Sequence, residues 1–446
     1  MNETSSLPSL ALTPFEEYML ADDRPRWPMT FFLKAEVRGQ LDHEAWRQAL
    51  AETALRHPLL HRLLEGNEAT GYRWSTKVAP APVIRWGRCD EPLAFPTGRM
   101  IDLRREGGVR VSVRQGDDRT AIWFEFHHSC CDGMGGTRFI ADSLTAYNLL
   151  VRADDGEQLR ALRPERLSER GRFGITWWRQ LLRLPQELLA LVGVLEFFSH
   201  RPRSLVTGNE QASSADSGGG PLWLAHQFDG ERLKLLRDQA RARGVTLNDL
   251  LVTCLFAALR EWFVAHAPDA AGKVGRIMVP MNLRLPGDED LPAANVVCMI
   301  NLDRRMNEKA TFKKLLKMVS LEMGIVKRCR LGLTFHHILG IAQRLSRIPR
   351  LLPTDRCLST CVLSNLGEPM AGEQRPSAGS GKAGLQLVSL ALLPPLRPYT
   401  AAAFGVVSHG DTTTITLHYD PALTEERAKF LLQALLWQIE TSLAAA

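Results

Sequence analysis

The chain reads as an α/β protein built in two halves. Three observations carry this reading. A strand-patterned run, Ala121-Ile122-Trp123-Phe124-Glu125-Phe126, passes through a short turn into a long apolar helix pattern from Thr137 to Val151. Strand-like and helix-like runs interleave along the whole length, as they do in α/β folds. The stretch from Val206 to Pro221 has Thr-Gly-Asn-Glu-Gln-Ala-Ser-Ser-Ala-Asp-Ser-Gly-Gly-Gly at its centre. That is linker composition, and it divides the chain into 1–205 and 222–446, halves of similar length.

In the first half, Thr13 is placed to cap a helix that opens with Pro14 and carries Glu16 and Glu17 in its first turn. Thr30 to Val37 reads as a strand, and Asp42 caps a helix running to Arg56. Tyr72-Arg73-Trp74 and Val109 to Val113 read as short strands leading to the central run. Beyond the Thr137 helix, Arg152 to Arg172 is a mobile-looking stretch. Phe173 to Phe198 is unusually apolar and contains Trp177-Trp178 with flanking arginines. We read it as a helix packed on the body of the protein; the sharper alternative is an interfacial patch touching lipid or an acyl chain. Arg183, Glu187 and Glu196 argue against a bilayer span.

The second half opens with a strand from Trp223 to Phe228. Asp229 then caps a helix ending at Gly244. Thr246 and Asp249 have capping-box spacing at the start of a buried-type helix, Leu250 to Val264, and helix capping fully accounts for both. Arg276 to Arg284, Asn295 to Leu302 and Leu358 to Leu366 read as strands. A Gly/Ser loop spans Gly372 to Gly384. Three more strand-like runs follow: Leu385 to Leu393, Tyr399 to Ser408 and Thr412 to Tyr419. Thr424, with Glu425 and Glu426, starts the last helix.

The bulk properties bound the function. The chain has 446 residues, enough for a large core, and is 45% hydrophobic and 23% charged, the balance of an ordinary globular protein. A net charge of +6 is mild for this length and suits acidic ligands. With no basic stripe interleaved with aromatics, nucleic acid is not expected as a partner. The eight cysteines lack C-x-x-C spacing, so they are read as reduced and the protein as cytoplasmic. The polar start from Met1 to Leu10, with Glu3, lacks the pattern of a signal peptide. No stretch reaches the roughly 18–20 uninterrupted apolar residues of a spanning helix.

The segment His127-His128-Ser129-Cys130-Cys131-Asp132-Gly133 follows the central strand run directly. Neighbouring residues on an extended chain point to opposite faces, so the two histidines cannot share one job. One faces the packed interior and the other a cavity. Asp132 and Gly133 close a tight turn before the helix.

This segment resembles the His-His-x-x-x-Asp-Gly signature of acyltransferases related to chloramphenicol acetyltransferase. That superfamily includes condensation domains of non-ribosomal peptide synthetases, plant BAHD acyltransferases and bacterial wax ester synthases. Leu12-Thr13-Pro14 is similar to the opening helix of condensation-type enzymes. Arg56-His57-Pro58-Leu59-Leu60-His61-Arg62 is similar to their Arg-His-x-x-Leu-Arg element, and Thr246-Leu247-Asn248-Asp249 to a helix start in their second lobe. Ser364-Asn365-Leu366-Gly367 resembles the Ser-Asn-x-Gly element of wax-synthase-like and stand-alone condensation enzymes. BAHD enzymes carry Asp-Phe-Gly-Trp-Gly, of which only Phe404-Gly405 is present here.

The resemblance implies two chloramphenicol acetyltransferase-like lobes, each a mixed sheet with helices, with the active-site tunnel between them. It implies acyl transfer from acyl-CoA or an acyl-carrier protein to a small alcohol or amine. No bound cofactor, no metal and no acyl-enzyme are expected, and the enzyme is expected to be free-standing and monomeric. The apolar stretch after Phe173 is the candidate for peripheral membrane contact. His128 would be the general base and His127 structural. Asp132 would anchor the turn through an arginine, with Arg284 first and Arg56 or Arg62 as alternatives. Gly133 would leave room for the carrier arm. Asn365, Ser364 and Asn295 are candidates for substrate or oxyanion contacts.

Acyl transfer from a thioester needs a base, oxyanion donors and close positioning of two substrates. A neutral imidazole suits the first task. Rival readings of the same residues are weaker. The spacing of His127, His128, Cys130, Cys131 and Asp132 fits no common zinc pattern. A nucleophilic Cys130 or Cys131 would have to face His128. His336-His337 lacks a following Asp-Gly and is read as structural or surface. The competing function is a non-catalytic condensation-like module that binds a carrier protein or a lipid.

Overall fold

A computed structural model describes residues 7–93, 100–152, 158–174, 184–208, 210, 220–270, 272–307, 310–371 and 384–444. The Trp177-Trp178 pair, most of the 206–221 linker and nearly all of the Gly/Ser loop after Met370 lie outside them.

The fold is mixed α/β, organised on two large mixed sheets. The first has the order β12-β2-β7-β6-β5, formed by β2 (Thr30–Arg38), β5 (Ile84–Arg88), β6 (Val109–Gln115), β7 (Arg119–His127) and β12 (Gln386–Leu393). Only the β5–β6 pair is parallel. The second sheet has the order β10-β9-β11-β13-β14-β8. Its strands are β8 (Leu222–Asp229), β9 (Val274–Asn282), β10 (Val297–Arg305), β11 (Cys361–Gly367), β13 (Ala402–His409) and β14 (Thr412–Tyr419). Here β11 runs parallel to both β9 and β13. A small sheet joins β1 (Leu10–Ala11), β3 (Arg62–Asn67) and β4 (Gly71–Val78).

Helix starts follow their caps. Helix α1 (Pro14–Ala21) begins with a capping box: Glu16 N donates to Thr13 Oγ1 at 3.3 Å and Thr13 N to Glu16 Oε2 at 2.9 Å. Asp42 accepts from Ala45 N at 2.8 Å to start α2 (His43–Arg56). The helix Leu247–His266 opens on the same box from Thr246 and Asp249. A four-residue helix, α3 (Pro58–His61), follows α2 directly.

Each large sheet has its own core. Leu33, Trp46, Phe124, Phe126, Phe139 and Ile140 belong to the first, which α2 and α4 (Gly133–Arg152) help build. The helices Leu247–His266, Phe312–Cys329 and Glu425–Ala444 pack into the second. The halves are nevertheless interlocked. Leu283, Ala293, Ala294 and Val296, from the second half, are buried in the first core. Strand β12 pairs with β2 along its length, although it lies beyond the 206–221 linker. A division of the chain at that linker thus leaves one strand of the first sheet on the far side. Its junction with the second sheet is tight: a Cβ at Gly405 would fall on the Leu392 carbonyl, which also accepts from Thr416 Oγ1. Glycine is needed there for close backbone approach.

One buried ion pair ties the first helix to the small sheet. Arg170 reaches Glu16 at 2.6 and 2.7 Å, and Trp74 Nε1 donates to the same carboxylate at 3.3 Å. The side chains are 4% and 0% exposed. Removing one member strands a buried charge, which costs about 3–5 kcal/mol. Arg170→Met is therefore expected to lower unfolding stability by about that amount in a urea titration. A loss close to zero would show that Glu16 has other compensation.

Candidate active site

Strand β7 delivers both histidines. Its alternation places Phe124 and Phe126 in the first core, while Glu125 and His127 point the other way. His127 is fully buried. Ser129 N donates to its Nδ1 at 3.1 Å, so the ring proton sits on Nε2, which donates to Asp23 Oδ2 at 3.2 Å. The other oxygen of Asp23 accepts from Met29 N at 2.7 Å. His127 thus pins the end of β7 to the connection between α1 and β2.

His128 is held differently. Its N–H donates to Met29 O at 2.8 Å, and its carbonyl accepts from Asn295 Nδ2 at 2.6 Å. Its ring meets Phe31 edge-to-face at 5.2 Å between centroids. Nδ1 lies 3.5 Å from the Asn295 amide nitrogen, at the limit of a hydrogen bond. The ring keeps some exposure, into a cavity of about 270 Å³ that it lines. Burial there holds its pKa below the ordinary 6.5, outweighing the opposing pull of its backbone contacts and of Asp132. The imidazole is consequently neutral at pH 7.

Asp132 joins the two halves. Oδ1 accepts from Gly135 N at 2.8 Å, as an N-cap does for α4. Oδ2 accepts from Arg284 Nη1 at 2.7 Å and from Val296 N at 2.8 Å. Burial alone would raise this carboxyl, but the Arg284 guanidinium and the two backbone donors prevail and hold it below its usual value. Arg284 also donates to Ala294 O at 3.0 Å. The other two arginines singled out in the sequence lie elsewhere. Arg56 meets Asp142 at 3.0 Å, and Arg62 donates to the carbonyls of Leu7 and Pro8.

The segment 293–296 is pressed along the motif turn. Ala293 N donates to His57 Nδ1 at 2.9 Å, which leaves His57 Nε2 to donate to Asp142 at 3.2 Å. Ala294 O accepts from Asp132 N at 3.3 Å. Asn295, expected among substrate or oxyanion groups, is only 2% exposed and engages the His128 carbonyl. That geometry makes it a positioning residue rather than a cavity contact.

Ser364, Asn365 and Leu366 do line the cavity, opposite His128, Asp132 and Gly133. Asn365 is partly engaged: its oxygen accepts from Gly367 N at 2.9 Å, and its nitrogen lies 3.4 Å from Asn248 Oδ1. Gly133 lines the cavity as well, and a Cβ there would press on Leu366 Cδ2 at 2.7 Å. Arg397, paired with Asp22, also lines the cavity, and no motif in the sequence pointed to either. Cys130 and Cys131 are fully buried, burial pushes both thiols well up, and neither lines the cavity. The other histidine pair is structural. His336 bonds Val297 O at 2.9 Å, and His337 lies 3.2 Å from Glu187.

A more open recess of about 530 Å³ shares Asn282, Arg284, Asn365 and Leu366 with this cavity and carries Lys327 and Arg330. The helix Leu184–Ser199 exposes Leu188, Leu195 and Phe198.

No protein-family model matches the chain. Two uncharacterised proteins of Mycobacterium tuberculosis, from strains CDC 1551 and H37Rv, are each 25% identical over 372 residues, covering 80% of this chain and 83% of their own. The fold is shared with the first condensation domain of the CDA synthetase, at a TM-score of 0.66 and 15% identity over 98% of this chain and 97% of that one. It is also shared with the TRI3 trichothecene 15-O-acetyltransferase of Fusarium sporotrichioides, at a TM-score of 0.70 and 12% identity over 98% and 95%. The non-ribosomal peptide synthetase FmoA3 matches at a TM-score of 0.66 and 16% identity; the chain spans 46% of its length. These likenesses show the two-lobed fold of condensation domains and this acetyltransferase.

Arg284→Met would leave the Asp132 carboxylate buried without its cation, an expected loss of about 3–5 kcal/mol. The pH dependence follows from linkage. Asp132 contributes fully above the unfolded value near 3.8, and its contribution is lost as pH falls through its lower folded value. The variant should therefore differ most from wild type at neutral pH and converge on it in acid. Parallel urea titrations at neutral and acid pH measure this, and an equal gap at both would contradict the charge-pair account.

Proposed function

We propose that the protein transfers an acyl group from a thioester donor to an alcohol or amine, with His128 as general base. The observation that carries this reading is the His128 ring, neutral and open to a cavity between elements of both halves. In this mechanism the His128 lone pair takes the proton of the acceptor hydroxyl or amine as that group attacks the thioester carbonyl carbon. The tetrahedral intermediate then collapses, the C–S bond breaks, and the imidazolium returns the proton to the leaving thiolate. The ring's hydrogen bonds to backbone oxygen favour the proton on Nδ1 over a hydrogen bond from the Asn295 amide 3.5 Å away, so Nε2 carries the lone pair and is the nitrogen assigned to this exchange. No acyl-enzyme forms. Ser364 and Asn365 are the candidates to steady the oxyanion.

The recess carrying Lys327 and Arg330 suits the phosphate of a phosphopantetheine arm, whether on CoA or on an acyl-carrier protein. Its shared wall with the His128 cavity would bring the thioester to the base. Kinship of fold with condensation domains and with an acetyltransferase supports acyl transfer on such a frame.

His128→Ala is expected to lower transfer by about 10²–10⁴-fold, the usual share of a positioned base, with the unfolding midpoint unchanged. Intact-mass analysis of products from a panel of acyl-CoAs and carrier-bound acyl groups, offered alcohols and amines, reads this out. Native turnover in the variant would sink the assignment. The depressed pKa sets a further expectation. The acid limb of kcat/KM should fall below pH 6.5, because the imidazole stays unprotonated to lower pH than a free histidine. A limb above that value would mean another group is titrating.

A further inference from the structure

A second cavity, partly open to the surface, lies beyond the His128 cavity and takes no part in the mechanism above. It measures about 380 Å³ and is bounded by the helices Leu184–Ser199, Phe312–Cys329 and Gly332–Arg344 with strand β10. The two cavities abut. Tyr18, Phe197, Met299, Asn301, Phe335 and Leu358 line both. From this evidence we infer that the outer cavity is a binding site for an unbranched aliphatic chain whose head group lies at His128. The inference rests on the acyl-transfer reading for the identity of that head group and extends it to the class of substrate.

The walls state the ligand's chemistry. Ile325, Val326, Leu331, Ile338 and Leu351 supply the interior. The charged groups at its edge are already matched. Arg276 reaches Asp303 at 2.6 and 2.7 Å, and Glu322 meets Arg304 at 2.8 Å. Thr334 donates to Glu187 at 2.7 Å. The cavity-lining Arg276, Asp303, Glu322 and Thr334 each have a partner, so hydrocarbon is the filling that costs least along the apolar walls.

The partition between the cavities is built to be held on one side and to yield on the other. Phe197 is fixed twice by one guanidinium: Arg276 Nη2 donates to its carbonyl at 3.1 Å, and the Arg276 head lies 4.3 Å from its ring centroid. Tyr18 and Phe335 meet edge-to-face at 5.6 Å. Met299 is unbranched and moves between rotamers at little cost, so it is the member suited to admit a chain.

Two positions allow the cavity to be filled without touching the proposed machinery. An added Cβ at Gly193 meets nothing within 4 Å, and Gly193 lines only the outer cavity. Ile325 also lines only the outer cavity and is 38% exposed. Calorimetric titration of the full chain with hexadecanoate and octanoate tests the proposal. Each added methylene gains free energy on burial, so wild type should bind hexadecanoate tighter by about tenfold or more. Gly193→Trp and Ile325→Trp should each remove that margin while octanoate binding and octanoyl transfer stay at wild-type levels. Equal affinities in wild type, or a margin that survives in both variants, would overturn the proposal. If one variant does not fold, the other decides alone.

Chain-length series run separately on the acyl-CoA and on a primary alcohol acceptor identify whose chain enters: the substrate that loses its length preference in the variants is the occupant. A protein that shows the hexadecanoate margin but turns over no acyl-CoA would support the cavity and count against acyl transfer.

Discussion

One carboxylate holds the two halves in register. Asp132 caps the helix that follows the histidine turn, and with its second oxygen it takes a guanidinium and a backbone N–H from the far half. A carboxylate this deeply buried survives only if its lone pairs are met. Three donors meet that need together: Gly135 N, Val296 N and the Arg284 guanidinium. Because two of the donors come from 284–296, the same segment is drawn against the motif. That places Asn295 on the His128 carbonyl and Ala293 on His57. The position of the imidazole is thus set by a network whose centre is the aspartate, and no single contact to the ring itself fixes it.

The pairing of two adjacent histidines has a simple physical content. They carry the same functional group, yet the end of β7 gives them separate surroundings. His127 has both ring nitrogens engaged, one accepting from Ser129 and one donating to Asp23, so it has no lone pair to offer. His128 is anchored chiefly through its backbone, which leaves the ring to face the cavity. A residue held by its main chain keeps its side-chain chemistry available; one held by its side chain does not.

Local features of the fold were legible in the sequence, and long-range exchanges were not. Thr13, Asp42 and Thr246 act within three residues of themselves, so their caps can be read from spacing alone. The strand–turn–helix around His128 is also a local unit. The crossing of β12 into the first sheet is decided by partners 348 to 361 residues away, and its alternation is equally consistent with either sheet. Asp23, Asp22 and Arg397 belong to the site but sit in connecting segments without periodicity, where a single acidic or basic residue carries no signal. Asn295 was singled out as a candidate for substrate or oxyanion contact, and the structure puts its amide on the His128 carbonyl. A sequence does not show whether an amide will face a cavity or a backbone carbonyl. Gly133 was read as leaving room for a carrier arm; it lines the cavity, and the neighbour that an added Cβ would meet, Leu366, is remote in sequence.

The apolar character of the site connects its chemistry to its selectivity. On the proposed reading the imidazole must be neutral to accept a proton, and it is burial that lowers the His128 pKa. The rings and methionines that exclude water there, Phe31, Met29, Phe15 and Tyr18, are continuous with those that separate it from the outer cavity. Tyr18 shows the same environment acting on a different group, its hydroxyl pushed up to about 12 by burial. A wall made polar to loosen a chain's grip would also rehydrate the imidazole and raise its pKa toward that of a free histidine. If His128 acts as proposed, the two properties are coupled through one desolvated surface, and a long apolar reach serves the same demand that keeps the imidazole neutral.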